Sequence, residues 1–139
     1  SLQIIYKLDL FVISPMTVTQ SHTQAGMASV YDILLDQGSD AVIPFELYDA
    51  SDNPLDLSGY TARMQIRPSV GSATISDELT TENGRLVITG GTITATWPNA
   101  VTTAMRHGDS VYDIEIVSAT GEVTRILEGA FILHQEVTR

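Results

Sequence analysis

The chain of 139 residues contains no cysteine. Disulfide frameworks, zinc–thiolate sites and cysteine nucleophiles are therefore excluded. Seven Lys and Arg residues face 17 Asp and Glu residues, which gives a formal net charge of −10. Such a surface repels phosphate backbones, so we expect no nucleic-acid binding through general electrostatics. The acidity is consistent with solubility, with a docking face for a basic partner, or with a cation site.

Long apolar runs are also missing. No run approaches the ~18 residues that a membrane-spanning helix needs, so we expect no membrane segment. Lys7 and Asp9 interrupt the apolar residues near the N-terminus, and no basic segment precedes them. This arrangement argues against a signal peptide. The length suits a single domain with one hydrophobic core.

What the sequence does contain is alternation of apolar and polar residues over short runs. In residues 60–67 the apolar side chains would face one way and the polar ones the other, which predicts a half-buried antiparallel strand. Similar runs predict strands at 30–36, 41–48, 60–67, 74–80, 85–89, 92–97, 111–118 and 123–136. Gly90-Gly91, Thr120-Gly121 and Asn83-Gly84 supply the turn signals between them.

The segment 31–68, YDILLDQGSDAVIPFELYDASDNPLDLSGYTARMQIRP, resembles small all-β proteins of tailed bacteriophages. In particular it resembles the Ig-like N-terminal domain of phage baseplate upper proteins, and the resemblance covers roughly residues 27–139. It implies an Ig-like fold and a virion context, and it supplies no catalytic motif. Together with the strand pattern, it predicts an all-β fold: an Ig-like antiparallel β-sandwich of about seven to eight strands with one short helical turn.

The first 26 residues differ from the rest of the chain, because Lys7 and Asp9 cancel and leave this part uncharged. Alternation from Leu2 to Val12 predicts a strand, and TVTQSHTQAG that follows is interpreted as a linker. We therefore divide the chain into an N-terminal arm and linker, 1–26, and a sandwich domain, 27–139. The arm either adds a strand to a neighbouring subunit or occupies a sheet edge as an upstream extension.

One helical turn is expected after Trp97, with Pro98 near its first position and Gly108 as its C-terminal cap. Tyr112 follows at the place of a tyrosine corner. The last strand is apolar on both faces in RILEGAFIL, which suggests an oligomer contact or cover by the arm. The predicted core consists of Tyr31, Ile33, Leu35, Ile43, Phe45, Leu47, Leu57, Tyr60, Met64, Ile66, Leu86, Ile88, Ile93, Trp97, Tyr112, Ile114, Ile116, Leu127, Phe131 and Leu133.

Chemical sites were sought among the polar residues. Asp49, Asp52 and Asp56 are a weak calcium candidate, but an acidic turn explains them as well, and their spacing does not match an EF-hand. The histidines, His22, His107 and His134, are scattered, and no nucleophile motif accompanies them. We therefore expect no enzyme and no cofactor.

Charged residues on the predicted outer faces allow two interpretations. Asp113 and Glu115 share one face of a strand, as glycosidase carboxylates can, although solvated acids are the commoner meaning. Arg63, Arg67 and Arg85 would pair with Glu46 or Glu115 across strands, or would contact an acidic partner.

The functional expectation is a non-enzymatic virion structural protein of the tail, baseplate or neck, assembled in the host cytoplasm and located in the virion. It would form a homo-oligomer and dock onto other phage virion proteins by adding strands to sheet edges. A capsid decoration protein and a host-surface carbohydrate-binding module are the alternatives, and the latter needs an exposed aromatic platform. The residues predicted to make the contacts are Leu2, Ile4, Tyr6, Leu8, Leu10, Val42, Tyr48 and Ile132.

Overall fold

This computed structural model describes residues 6–12, 16–22, 29–48 and 53–138, and it describes the side chains of residues 30–48 and 53–138. Eleven strands and one short helix occur in this part of the chain. The strands form two sheets that pack face to face around one core. The predicted all-β sandwich with one short helix is therefore confirmed.

The first sheet is antiparallel throughout. In spatial order it contains β2 (Met16–His22), β1 (Tyr6–Val12), β5 (Ala41–Glu46), β9 (Thr92–Trp97) and β8 (Leu86–Thr89). Alternating burial along β5 and β9 of this sheet follows from the period-2 pattern of the sequence, because successive side chains of a strand point to opposite faces.

The second sheet has one parallel edge. Both β3 (Ser29–Val30) and β4 (Ile33–Asp36) run parallel to β11, and the other neighbours are antiparallel. From that edge the remaining strands are β11 (Val123–His134), β10 (Gly108–Val117), β6 (Thr61–Arg67) and β7 (Asp77–Thr80). The neighbours β5-β9-β8 and β11-β10-β6 correspond to the B-E-D and G-F-C strands of an Ig-type sandwich.

Several details differ from the sequence-based expectation. The strand count exceeds seven to eight because the arm contributes two strands and the predicted strand 30–36 is divided into β3 and β4. The stretch interpreted as a linker contains β2, which pairs along its whole length with β1. β1 also reaches β5 of the same chain at Leu10, opposite Phe45. The boundary at residues 26 and 27 falls outside the described residues and stays a prediction.

The helix α1 (Asn99–Ala104) is shorter than expected, because Met105 is already extended and Gly108 begins β10. Gly108 is therefore not its C-terminal cap. Asp40 accepts a hydrogen bond from the Asn99 amide at 2.6 Å and so caps the helix from the turn before β5. No helix within the described residues is long and apolar enough to cross a membrane.

The residues buried in the core agree closely with those predicted from the alternation of apolar and polar residues. Of the predicted core residues, only Tyr60 and Ile88 are partly buried instead of buried. The ring centroids of Trp97 on β9 and Phe131 on β11 lie 5.7 Å apart and join the two sheets. The core members that the prediction missed are three alanines, two residues outside the strands, and two large residues within β7 and β11: Ala41, Ala62, Ala95, Leu55, Met105, Leu79 and Ile126.

A β-bulge explains part of the apolar character of the last strand. The register of β10 and β11 shifts between the pairs Ile114–Leu127 and Glu115–Arg125, which leaves Ile126 as the extra residue. Both Ile126 and Leu127 are consequently buried. For this part of RILEGAFIL, cover from outside is not needed. The arm lies in the other sheet where it is described, so the expectation that it covers the last strand is not met there.

At the parallel edge of the second sheet, one hydrogen bond connects β10 to the segment between β3 and β4, across β11. Tyr112 on β10 lies opposite Gly129 on β11, and its hydroxyl donates to the Tyr31 carbonyl between β3 and β4 at 2.5 Å. In a regular parallel ladder the Tyr31 carbonyl would accept from the Ala130 amide. Here the Ala130 amide donates to the Asp32 carboxylate at 3.0 Å instead. Tyr112 therefore does not form a tyrosine corner, because its acceptor lies 81 residues upstream instead of a few.

A salt bridge closes the opposite edge of the sandwich. Arg85, just before β8 in the first sheet, donates two hydrogen bonds of 2.7 Å to the Asp77 carboxylate on β7 in the second sheet. The two side chains are 20% and 11% exposed, which limits solvent screening. Arg85 thus pairs with Asp77, and not with either of the acids, Glu46 and Glu115, that the sequence suggested.

Replacing Gly129 with Ala should destabilise the fold by about 1–3 kcal/mol, because the added Cβ would overlap the Tyr31 carbonyl. Urea denaturation would measure the change. Gly71→Ala is the matched control, because a Cβ at Gly71 meets no atom within 4 Å, and its effect should stay within about 0.5 kcal/mol. Equal stability of the two variants would contradict the close approach at Gly129.

Candidate docking face on the second sheet

Apolar side chains lie on the outer surface of the second sheet, where β3 and β4 meet β11. Val30 and Leu34 are 56% and 53% exposed. Leu34 lies opposite Ile132 in the parallel register, and Val111 lies opposite Ala130 on the next strand pair. We call Val30, Leu34, Val111, Ala130 and Ile132 the apolar strip.

The local sequence explains why the strip exists. From Val30 to Asp36 every second residue is buried, and Tyr31, Ile33 and Leu35 enter the core. The intervening positions face outward, and two of them are apolar instead of polar. The Tyr112 hydrogen bond to Tyr31 holds this segment against β11. Val30 and Leu34 therefore lie on a segment that is positioned by its buried residues and by the Tyr112 hydrogen bond.

Charged side chains of β6, β10 and β11 lie next to the strip and pair with one another. We call them the charged band: Arg63, Asp113, Glu115 and Arg125. Arg63 donates to Glu115 at 2.8 Å, as one of the two sequence interpretations predicted. Arg125 lies 3.4 Å from Asp113. Burial raises the pKa of the Asp113 carboxyl, Arg125 opposes that shift, and the neighbouring Glu115 adds to it. Asp113 and Glu115 are thus members of ion pairs.

Acidic residues surround the strip. Asp36 lies 3.7 Å from the imidazole of His134, and Asp32 accepts from the Ala130 amide. Asp109 and Glu128 form no ion pair with any of the described side chains, those of residues 30–48 and 53–138. The strip therefore has an acidic rim made of Asp32, Asp36, Asp109 and Glu128.

A half-open depression of about 440 Å³ lies between the strip and the charged band. It is bounded by β6, β10 and β11 and by the loop that follows β6. The residues that line it include Val30, Gln65, Arg67, Val70, Asp113 and Arg125. Arg67 already donates to the Ser72 carbonyl and the Gln65 side chain, both at 2.9 Å. The depression thus combines apolar walls with polar groups that bond to each other.

The residues predicted to make contacts do not form one surface. Ile132 belongs to the strip. Val42 is 38% exposed on the outer face of the first sheet, on the other side of the sandwich. Tyr48 is half-buried, and its hydroxyl donates to Glu46 at 3.0 Å. Tyr6, Leu8 and Leu10 lie on β1, and Leu2 and Ile4 lie outside the described residues.

Val30 and Leu34 were missed by the sequence analysis, although the signal for them was available. The rule applied to the last strand, that apolar residues on both faces suggest cover, applies equally to residues 30–36. In the last strand the same rule pointed to Ile132, which the register places beside Leu34. The meeting of these residues depends on which strands are neighbours, and alternation does not contain that information.

The weak calcium candidate is not assembled in the described part of the chain. Asp56 accepts hydrogen bonds from the Ser58 hydroxyl at 2.6 Å and the Ser58 amide at 3.0 Å. The hydroxyl and then the amide lower the pKa of its carboxyl. This is the bonding of an Asx-type turn. Asp49 and Asp52 lie outside the described residues, and no group of three possible metal ligands occurs within them.

Aromatic side chains do not form a platform on the described surface. Tyr31, Phe45, Trp97, Tyr112 and Phe131 are buried. Tyr48 and Tyr60 are half-buried. Stacking on a sugar needs an exposed ring face, so the described side chains give the carbohydrate-binding alternative no support.

No protein-family model and no curated protein matches the chain.

Replacing Tyr112 with Phe should lower the stability at neutral pH by about 1–3 kcal/mol, because the buried Tyr31 carbonyl loses its donor. Burial raises the pKa of the Tyr112 hydroxyl well above its ordinary value of 10.0. The stabilisation that depends on the neutral hydroxyl is fully present below pH 10.0, the ordinary pKa, at which the unfolded tyrosine is still neutral. It is lost as the pH rises from there towards the pKa of the folded protein, because the tyrosine of the unfolded chain ionises first. The difference between the two proteins should therefore narrow above about pH 10.

Urea midpoints measured from neutral to alkaline pH would test this expectation. Tyr60→Phe is the control, because it removes the hydroxyl of a half-buried tyrosine that takes no part in the Tyr112–Tyr31 hydrogen bond. A difference between Tyr112→Phe and the native chain that stays constant with pH would contradict the proposed role of the buried hydroxyl.

Proposed function

We propose that this chain is a non-enzymatic structural protein of a tailed-bacteriophage virion, a tail, baseplate or neck component that docks onto other virion proteins. The observation that carries the proposal is the apolar strip. Val30 and Leu34 expose more than half of their surface, and Leu34 lies opposite Ile132 in the second sheet. An exposed apolar group with a polar rim is typical of a protein-interaction surface.

The strip is well placed energetically for docking. Burying the exposed half of one Val or Leu side chain contributes on the order of 1 kcal/mol. Val30 lies on β3 and Leu34 on β4, and this segment is already ordered because Tyr31, Ile33 and Leu35 are buried in the core. Binding therefore orders little additional backbone, which keeps the entropic cost of association low.

The acidic rim specifies the chemistry of the partner. Asp109 and Glu128 lack ion pairs within the described residues, and Asp32 and Asp36 have no arginine partner there. A partner with an apolar centre and a basic rim would satisfy these carboxylates. The net charge of −10 attracts such a partner over longer distances.

The virion context comes from the resemblance of residues 31–68 to small proteins of tailed phages, and the sandwich is consistent with it. Assembly would take place in the host cytoplasm, and the assembled chain would reside in the virion. A capsid decoration protein would use the same docking chemistry, and it would be found with heads instead of tails.

The test is incorporation of strip variants into virions of the phage that encodes the chain. Leu34→Glu places a charge in the strip, and it should reduce the amount of chain in purified particles at least about tenfold, which corresponds to ~1.4 kcal/mol. Val87→Glu is the matched control, because Val87 is 50% exposed on the outer face of the first sheet. Mass spectrometry of separated heads and tails would measure the chain, and circular dichroism would check folding.

Each outcome decides a different point. Loss with Leu34→Glu alone supports docking through the strip. Equal incorporation of both variants overturns the strip as the docking face. Absence of the native chain from purified particles overturns the virion proposal, and its presence only with heads favours the decoration alternative.

A further inference from the structure

The outer edge of β2 differs from the other sheet edges. Within the described residues, β2 is the end strand of the first sheet and pairs only with β1. An end strand leaves every second N–H and C=O group free on its outer side, which is a template for another strand. The edge is seven residues long, MTVTQSH, and contains no charged residue, proline or glycine.

The other three edges carry features that oppose pairing. β7 has four residues, and two of them are Asp77 and Glu78. β8 also has four residues, and the Arg85 salt bridge ties its start to β7. At the fourth edge the Asp32 carboxylate takes the Ala130 amide and interrupts the strand between β3 and β4. Short strands, charges and interruptions are the usual protection of a sheet edge, and β2 has none of them.

We propose that the outer edge of β2 pairs antiparallel with β2 of a second copy of this chain across a two-fold axis. The two first sheets would join into one continuous sheet. A two-fold interface brings each residue near its own equivalent in the other copy. The inference deepens the proposed docking function and rests on it only in naming a second copy as one of the partners.

Charge identifies the second copy as the occupant. Each chain carries −10, so association through most surfaces places carboxylates against carboxylates. At β7 the equivalents of Asp77 and Glu78 would meet. At β2 no charged side chain of either copy would meet, and Lys7 and Asp9 on the neighbouring β1 cancel. Pairing along β2 therefore places no carboxylate of one strand against a carboxylate of the other, and β2 is longer than the equally uncharged β8.

The absence of cysteine makes a direct test possible. Seven variants would each carry one cysteine, at successive positions from Met16→Cys to His22→Cys. In a two-fold antiparallel pair one residue lies opposite its own copy, with Cα atoms about 4.5–5.5 Å apart. That separation lies within the ~4.4–6.8 Å range of a disulfide. Thr89→Cys on the exposed β8 edge is the matched control.

Covalent dimer would be measured on non-reducing gels after oxidation in a glutathione buffer. The expected result is a single maximum within β2, at least about tenfold above the Thr89→Cys control, because pairing raises the effective thiol concentration. The unmodified chain should have the mass of a dimer by light scattering. No position above the control, equal cross-linking at all seven, or a monomeric unmodified chain would overturn the proposal.

These measurements use the purified chain alone. If the chain is monomeric and still enters virions in a way that depends on Leu34, the β2 pairing is overturned and the docking proposal stands. If the chain is dimeric and absent from virions, the docking proposal is overturned and the β2 pairing stands.

Discussion

The hydrogen bond from the Tyr112 hydroxyl to the Tyr31 carbonyl is the interaction on which the parallel edge of the second sheet and the candidate docking face depend. It crosses β11 above Gly129, where any side chain would occupy the space of the carbonyl. The Asp32 carboxylate takes the Ala130 amide that the carbonyl leaves. The Tyr31 carbonyl and the Ala130 amide are therefore satisfied by side chains, between the ladder pairs that β3 and β4 form with β11. The segment stays against β11, with Ile33 and Leu35 in the core and Val30 and Leu34 outside.

The distribution of charge follows from the same architecture. Among the described side chains no ionised group is buried in the core, so the acids described there lie on the outer faces and edges of the sheets and in the loops. On the second sheet, arginines neutralise part of the excess in the charged band, and the rim of the strip keeps its acids. The edge strand β2, in contrast to the rim, contains no charged residue. A basic partner would therefore be attracted to the acidic rim, whereas a second copy would meet no like charge along β2. The two proposed partners would differ in the charge that they need as well as in the surface that they occupy.

Most of the core was predictable because burial in a sheet is a local, period-2 property. Met64, Ile66 and Ile114 alternate with polar residues, and the structure buries them. Ile126 was not predictable in this way, because the bulge that turns it inward depends on the register of β10 and β11. The polar stretch that forms most of β2 has the composition of a linker, and its strand structure depends on pairing with β1. Tyr112 was recognised as special, but its partner was not.

By itself, the sequence determined the fold class, the inward face of most strands, the hairpin turns and the net charge, because these depend on residues close together in the chain. Only the tertiary structure decided which strands are neighbours. It brought Leu34 beside Ile132, tied Arg85 to Asp77 across the two sheets, and carried the Tyr112 hydroxyl to a carbonyl 81 residues away. Such contacts join distant segments, and no local pattern records which segments will meet, because pairing is selected by the packing of the whole sandwich.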